Sequence, residues 1–195
     1  LGRRVRIISY NVRYFGHALK GLASTARAKA RIAQAISGLE PIADIVCLQE
    51  VRRFNHLESR HFSKTDFGHR SWPHQPQADY LAPEGYEVAY RTNAVTRHGE
   101  HGNALLARWP IGEVKHHDVS DHRFEQRGLL HVTVNWRGQL IHLIVVHLGL
   151  FHQSRVRQTE RVAELALRDV PADAPVIVAG DFNDWNEKLD HILTD

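Results

Sequence analysis

The chain has 195 residues and a formal net charge of +3, a length that fits one domain with a sizeable core. Its apolar share of 43% and charged share of 24% are those of a soluble globular protein, and its most apolar stretch, 140–150, is broken by His142 and His147, so no segment is long enough to span a bilayer. A single cysteine, Cys47, excludes an internal disulfide and fits a reducing compartment, so a cytoplasmic location is expected.

Residues 1–6 are basic but lead into a short strand rather than an apolar run, so no signal peptide is read there. The charge runs Arg3-Arg4-Val5-Arg6 and Arg155-Val156-Arg157 permit an anionic partner without identifying nucleic acid. With 15 histidines, most must lie on the surface, and only position in a motif can promote one.

In chain order, V-R-I-I-S-Y-N (5–11) reads as a strand closed by Asn11. Ala28, Ile32, Ala35, Ile36 and Leu39 recur at helical spacing and predict a helix over about 24–37, with Gly38 at its end and Pro41 unable to continue it. D-I-V-C-L-Q-E-V (44–51) is almost continuously apolar from Ile45 to Leu48, so a strand covered on both faces is expected, ending at Gln49 and Glu50. Residues 54–83 read as loops with one short helix, a place for substrate contacts. Strands are predicted at 86–90 and 103–108, with R-T-N-A-V-T-R-H-G-E-H (91–101) as a polar loop or rim between them and Pro110 as the stop.

G-L-L-H-V-T-V (128–134) and L-I-H-L-I-V-V-H (140–147) form a predicted hairpin around N-W-R-G. His131 and His142 alternate with apolar neighbours and read as packed or surface strand histidines. An amphipathic helix is predicted over 154–168, with Ser154 as its N-cap. Pro175 then introduces the β-branched run Val176-Ile177-Val178, a buried strand. Gly180 is expected to turn the backbone sharply where that strand ends. Asp181 and Asn183 follow, on one side of the chain if the strand geometry persists; a short helix over 187–193 comes last.

Four apolar strands thus end in polar groups: Asn11, Glu50, His147, and Asp181 with Asn183. Metal-assisted cleavage of a phosphate ester wants this set. Magnesium takes one or two carboxylates, waters and phosphate oxygens. It polarises the phosphoryl group and neutralises developing charge. A carboxylate orients or deprotonates the attacking water, asparagines position it, and a histidine donates to phosphate.

At these residues the sequence resembles the endonuclease/exonuclease/phosphatase superfamily, which includes DNase I-like nucleases, apurinic-site endonucleases, neutral sphingomyelinases and inositol polyphosphate 5-phosphatases. The motifs are S-Y-N-V (9–12), D-I-V-C-L-Q-E-V (44–51), G-N-A-L-L-A-R-W-P-I (102–111), V-V-H-L-G-L (145–150) and V-A-G-D-F-N-D-W (178–185). They come in the family's order, cover nearly the whole chain, and look most like small bacterial members. The resemblance implies an α/β fold: a four-layer α/β/β/α sandwich of two packed mixed sheets. It implies Mg²⁺ (or Mn²⁺) as cofactor, with Glu50 as main metal ligand and Asn11 and Asp181 beside the metal. His147 resembles the phosphate-contacting histidine. Asp181 looks like the residue that orients or activates water, with Asn183 its partner and Asn11 also near the chemistry. Arg127 and Asn103 resemble phosphate-binding positions.

The family continues after G-D-F-N with a further Asp and then Ser-Asp-His. The chain stops at Asp195, so a truncated member lacking the final strands is expected, binding Mg²⁺ weakly and turning over phosphodiesters poorly or not at all. Ser120-Asp121-His122 is rejected as a substitute, because it precedes His147 and Asp181 whereas the family's triplet comes last. Exposed sheet edges would invite an edge-paired oligomer. The expected partner is a phosphate-ester substrate, with nucleic acid among the candidates and no stable membrane insertion. The competing reading is a catalytically inactive domain with a binding or scaffold role.

Overall fold

The computed structural model describes residues 4–12, 21–55, 76–96, 99–122, 125–185 and 188–194. Its elements in chain order are β1 (Ile7–Asn11), α1 (Gly21–Ser37), β2 (Ile45–Asn55), α2 (Gln77–Leu81), β3 (Glu87–Thr96), β4 (Gly99–Ala107), β5 (Ile111–Asp118), β6 (Gly128–Trp136), β7 (Gln139–His147), α3 (His152–Asp169), β8 (Val176–Asp181) and α4 (Asp190–Thr194). The strands form two four-stranded sheets, ordered β1-β2-β4-β3 and β5-β6-β7-β8. Both are mixed: β1 runs parallel to β2 and β8 parallel to β7, and the remaining pairs are antiparallel.

Strand side chains alternate between faces, and that alternation builds three apolar layers. On β2, Val46 and Leu48 pack with Ile32 and Ile36 of α1. Ile45 and Cys47 point the other way and meet Val132, Leu143 and Val145 of the second sheet. Leu129, Ile144 and Val146 on the outer face of that second sheet pack under Val162 and Leu165 of α3. These layers make the α/β/β/α sandwich, and β2 is covered on both faces as its sequence demands. Among the described residues no helix is long and apolar enough to cross a membrane.

Several elements differ from their sequence-based expectation. Residues 91–96 and 99–101 continue β3 and β4 instead of forming a polar loop; Thr92, Val95 and Thr96 are β-branched and suit an extended chain. A whole strand, β5, follows Pro110. It is an edge strand with mostly exposed or half-buried residues, so it carries little hydrophobic signal. Ser154 does not cap α3: the N-cap is Phe151, without a side-chain cap, and Ser154 Oγ instead donates to Asp121 Oδ2 at 2.7 Å. The terminal helix is shorter than expected, Asp190–Thr194. Most of the 54–83 region, residues 56–75, lies outside the described residues; the helix within its remainder is α2.

Candidate functional site

The predicted carboxylates reach the site through two departures from regular strand geometry. Between Leu48 and Val51 the β2–β4 register shifts, and Glu50 there adopts φ +57°. A bulge re-aims a side chain, and a left-handed conformation in a non-glycine residue is a local strain that marks functional positions. On β8, Gly180 does not turn the chain. The strand runs on through Asp181, and Gly180 takes φ +154° with its α-carbon against β7. A Cβ there would lie 2.0 Å from the Val146 carbonyl oxygen. The register His147↔Asp181 follows directly from that close pairing.

Asn11, at the end of β1, ties the two carboxylates together. Its Nδ2 donates to Glu50 Oε1 at 3.0 Å and to Asp181 Oδ2 at 2.8 Å. His147 Nε2 lies 3.6 Å from Glu50 Oε1 and 4.0 Å from Asp181 Oδ2. The strand geometry does not persist to Asn183, which has φ +50°. Its backbone N–H donates to Asp181 Oδ1 at 3.0 Å, and its Nδ2 donates to the Leu148 carbonyl at 2.8 Å. The sequence-predicted Asn11, Glu50, His147, Asp181 and Asn183 therefore converge at one end of the two sheets. A cleft of about 400 Å³ opens beside them, bordered by Ser9, Gln49 and the exposed Trp185.

Electrostatics sharpen the arrangement. Burial pushes the His147 pKa down to about 4, with the nearby Arg127 charge acting the same way, Asp181 opposing and His101 adding to the depression. The imidazole is neutral at neutral pH, so its approach to Glu50 is a polar contact of a neutral ring and not an ion pair. His101, which sequence reasoning missed, is likewise pushed down to about 4 by burial, then by Arg127 and Arg52. Its motif neighbour Gly102 gave no hint, but the pairing Arg52↔His101 carries it to the same end of the sheet as Glu50.

Arg127 lies close enough to influence both histidines. Its Nη2 donates to Glu125 Oε1 at 3.1 Å, and its Nε is buried without a partner among the described residues. Asn103 is fully buried, and its Nδ2 donates to the carbonyls of Gly128 and Val145 at 3.0 and 3.1 Å. Those bonds join the first sheet to the second and leave no amide hydrogen for a phosphate. Ser9 and Gln49 were also missed as cleft residues; their side chains bond each other at 3.2 Å.

Ser120-Asp121-His122 has other work. Asp121 accepts from Arg157 Nε and Nη2 at 2.8 and 2.5 Å and from Ser154 Oγ. Those bonds hold its carboxyl well below the usual range and clamp the loop to α3.

The donor set fits a hard divalent cation. Glu50 and Asp181 offer oxygens, the preferred atoms of Mg²⁺, and the neutral His147 adds no competing charge. In this geometry Asn11 faces the carboxylates with its nitrogen, so it positions them. Any direct bond to a cation would use its Oδ1.

Comparison with known proteins places the chain. The sequence profile of the Endonuclease/Exonuclease/phosphatase family matches residues 8–195. The uncharacterized protein YbhP of Escherichia coli K12 is 40% identical over 154 residues, which are 77% of this chain. The chain spans 58% of that protein's length. Among solved structures, an endonuclease/exonuclease/phosphatase family protein from Leptotrichia buccalis superposes with a TM-score of 0.67 at 16% identity, covering 97% of this chain and 73% of that one. Sphingomyelinase C from Streptomyces griseocarneus gives 0.62 at 18% identity, covering 97% and 68%. A humanized D. rerio TDP2 gives 0.61 at 21% identity, covering 96% and 66%. Profile, relative and fold agree with the convergent Asn, Glu, His and Asp side chains, and the chain belongs to the endonuclease/exonuclease/phosphatase family.

Proposed function

We propose that this protein is a Mg²⁺-dependent hydrolase of phosphate esters, acting on a phosphodiester or phosphomonoester by attack of water on phosphorus. The observation that carries this reading is the double hydrogen bond of Asn11 to Glu50 and Asp181, with His147 against both carboxylates.

In this reading Glu50 and Asp181 hold the divalent ion, which when bound polarises the phosphoryl group and offsets charge in the transition state. Asp181 also accepts the proton of the attacking water or aligns it. Its second oxygen is fixed by the Asn183 backbone N–H, so the carboxylate does not have to be ordered during reaction. Neutral His147 offers an N–H to a non-bridging phosphate oxygen. Arg127, whose Nε finds no partner among the described residues, is a candidate for the same phosphate. The chemistry is shared by nucleic acids, phospholipid head groups and small phosphorylated metabolites, and among the described residues the cleft holds no further feature that selects one.

The test is hydrolysis of a chromogenic phosphodiester by the open reading frame that carries this chain, with and without Mg²⁺. Glu50→Gln and Asp181→Asn are each expected to lower kcat by about 10² or more. Turnover unchanged in both variants would sink the assignment.

A further inference from the structure

A second polar cluster lies on the opposite face of the second sheet, away from Glu50 and Asp181. On β5 and β6 the register pairs Lys115 with His131, so His117, two residues on from Lys115, shares the face of His131. Both rings look outward beneath the end of α3, whose last residue is Asp169. One ligand atom from each of His117, His131 and Asp169 lies within 4.8 Å of the others.

Two ring nitrogens of these residues are orphans. His117 Nε2 and His131 Nδ1 are buried and find no hydrogen-bond partner among the described residues, and His131 is only 3% exposed. A buried polar atom left unpaired costs about 1–3 kcal/mol, and two imidazole nitrogens orphaned beside one carboxylate need a reason.

One tautomer of His131 suits that reason. His131 Nε2 and His142 Nδ1 are 2.9 Å apart. If His131 donates from Nε2, its Nδ1 carries the lone pair. Metal-bound histidines characteristically donate their other N–H in this way.

We propose that His117, His131 and Asp169 bind a borderline divalent transition metal, zinc foremost, at a site separate from the phosphoester centre. Two imidazoles and one carboxylate, with a fourth position for water, match a common zinc ligand set. Tetrahedral zinc with bonds of about 2.0–2.1 Å sets ligand atoms roughly 3.4 Å apart. His117 Nε2 and Asp169 Oδ2 are already 3.9 Å apart, so small rotations close the gap.

The C-terminal end of a helix favours a cation. Burial pushes both rings below the usual histidine range. Two cations stand near. Arg168 bonds both Asp169 oxygens, at 2.6 and 2.9 Å, which keeps the carboxylate ionised and leaves each oxygen a second lone pair. The Lys115 ammonium is drawn aside by Glu113 at 2.9 Å. The ion would pin the end of α3 to β5 and β6.

The test is calorimetric titration of the chelator-treated chain with Zn²⁺ in excess Mg²⁺, beside His117→Ala, Asp169→Asn and Glu50→Gln. A single zinc with a Kd of about 1 μM or tighter is expected. His117→Ala and Asp169→Asn should each weaken it about tenfold or more, and Glu50→Gln should leave it unchanged. Co²⁺ in place of zinc should show the visible bands of four-coordinate cobalt in the wild type and lose them in His117→Ala. Absence of a micromolar site, or equal binding by wild type, His117→Ala and Asp169→Asn, overturns the proposal. Both substitutions lie at half-buried positions, so folding of the variants can be verified by circular dichroism. The zinc titration is read without turnover, so it stands or falls separately from the phosphoester reading.

Discussion

Replacing Gly180 by alanine probes how Asp181 is held. A Cβ at this position would stand 2.0 Å from the Val146 carbonyl oxygen and 2.8 Å from its carbonyl carbon, both main-chain atoms. An unstrained carbon–oxygen contact needs roughly 3.3 Å, so β8 must retreat by more than 1 Å from β7. Ladder bonds near 2.9 Å would then stretch past hydrogen-bonding range. Loss of about two such bonds at ~1 kcal/mol each, with ~1–3 kcal/mol of overpacking, gives a destabilisation of roughly 3–5 kcal/mol. Urea unfolding with a slope of about 2–3 kcal/mol per molar should show a midpoint lowered by roughly 1–2.5 M. The Asp181 carboxylate would move relative to His147, and a 1 Å misplacement at a reacting centre can cost about 10²-fold in rate. Gly138 is the control: it has φ +91°, but a Cβ there meets nothing within 4 Å. Gly138→Ala should cost only the left-handed backbone strain of about 1–2 kcal/mol and leave any turnover intact. A Gly180→Ala protein with the wild-type midpoint would refute the close-approach argument.

Four further outcomes are expected. The folded-state pKa of His147, about 4, lies below the ordinary value of 6.5, so the unfolded chain binds the extra proton first. Stability from this group is complete above pH 6.5 and falls as pH drops toward 4, by up to ~1.4 kcal/mol per pH unit. His147→Asn should flatten the dependence of the urea midpoint between pH 7 and pH 5 (roughly the window of histidine titration), and an unaltered slope would count against it. Asp121→Ala should lower the melting temperature by freeing Arg157 and Ser154, yet leave Mg²⁺-dependent turnover per folded molecule near wild type; lost turnover in a folded variant would restore Ser120-Asp121-His122 as a catalytic element. Cys47 is fully buried and its thiol is pushed up to about 12, so a thiol reagent should label it only on unfolding, and rapid labelling of native protein would contradict that burial. Among the described residues β8 lies at the margin of its sheet with Val176 exposed, so the 195-residue chain by itself is expected to associate through that margin at high concentration; light scattering that stays at the 22.3 kDa mass of this chain would refute it.

What could be read beforehand follows from where hydrophobic burial is two-sided. Strands β2, β6 and β7 are buried on both faces and stand out as apolar runs. Strand β5 is half wet, with Ile111 and Val114 as its inward residues, and was invisible. Glu50, His147 and Asp181 were legible as candidates because each ends an apolar run. Their aim was not. The β2 bulge that points Glu50 inward and the glycine contact that brings β8 against β7 arise from pairing between distant strands. The Ser154 cap failed for the same reason: a tertiary partner, Asp121, offered a charge-assisted bond stronger than the local one. Asn103 sits in a family-like motif, but only the packed sheets reveal that its amide is spent on Gly128 and Val145.

Asn11 also fixes when the site can exist. Its bond to Glu50 spans 39 residues of sequence, and its bond to Asp181 spans 170. Closing the longer loop costs roughly 1.3 kcal/mol more entropy than closing the shorter. Asn11 and Glu50 can meet once the first sheet forms, whereas Asp181 arrives only when the second sheet has docked. A cation held by Glu50 and Asp181 would thus report complete assembly of the sandwich, and it should be the first ligand lost when the two sheets begin to part.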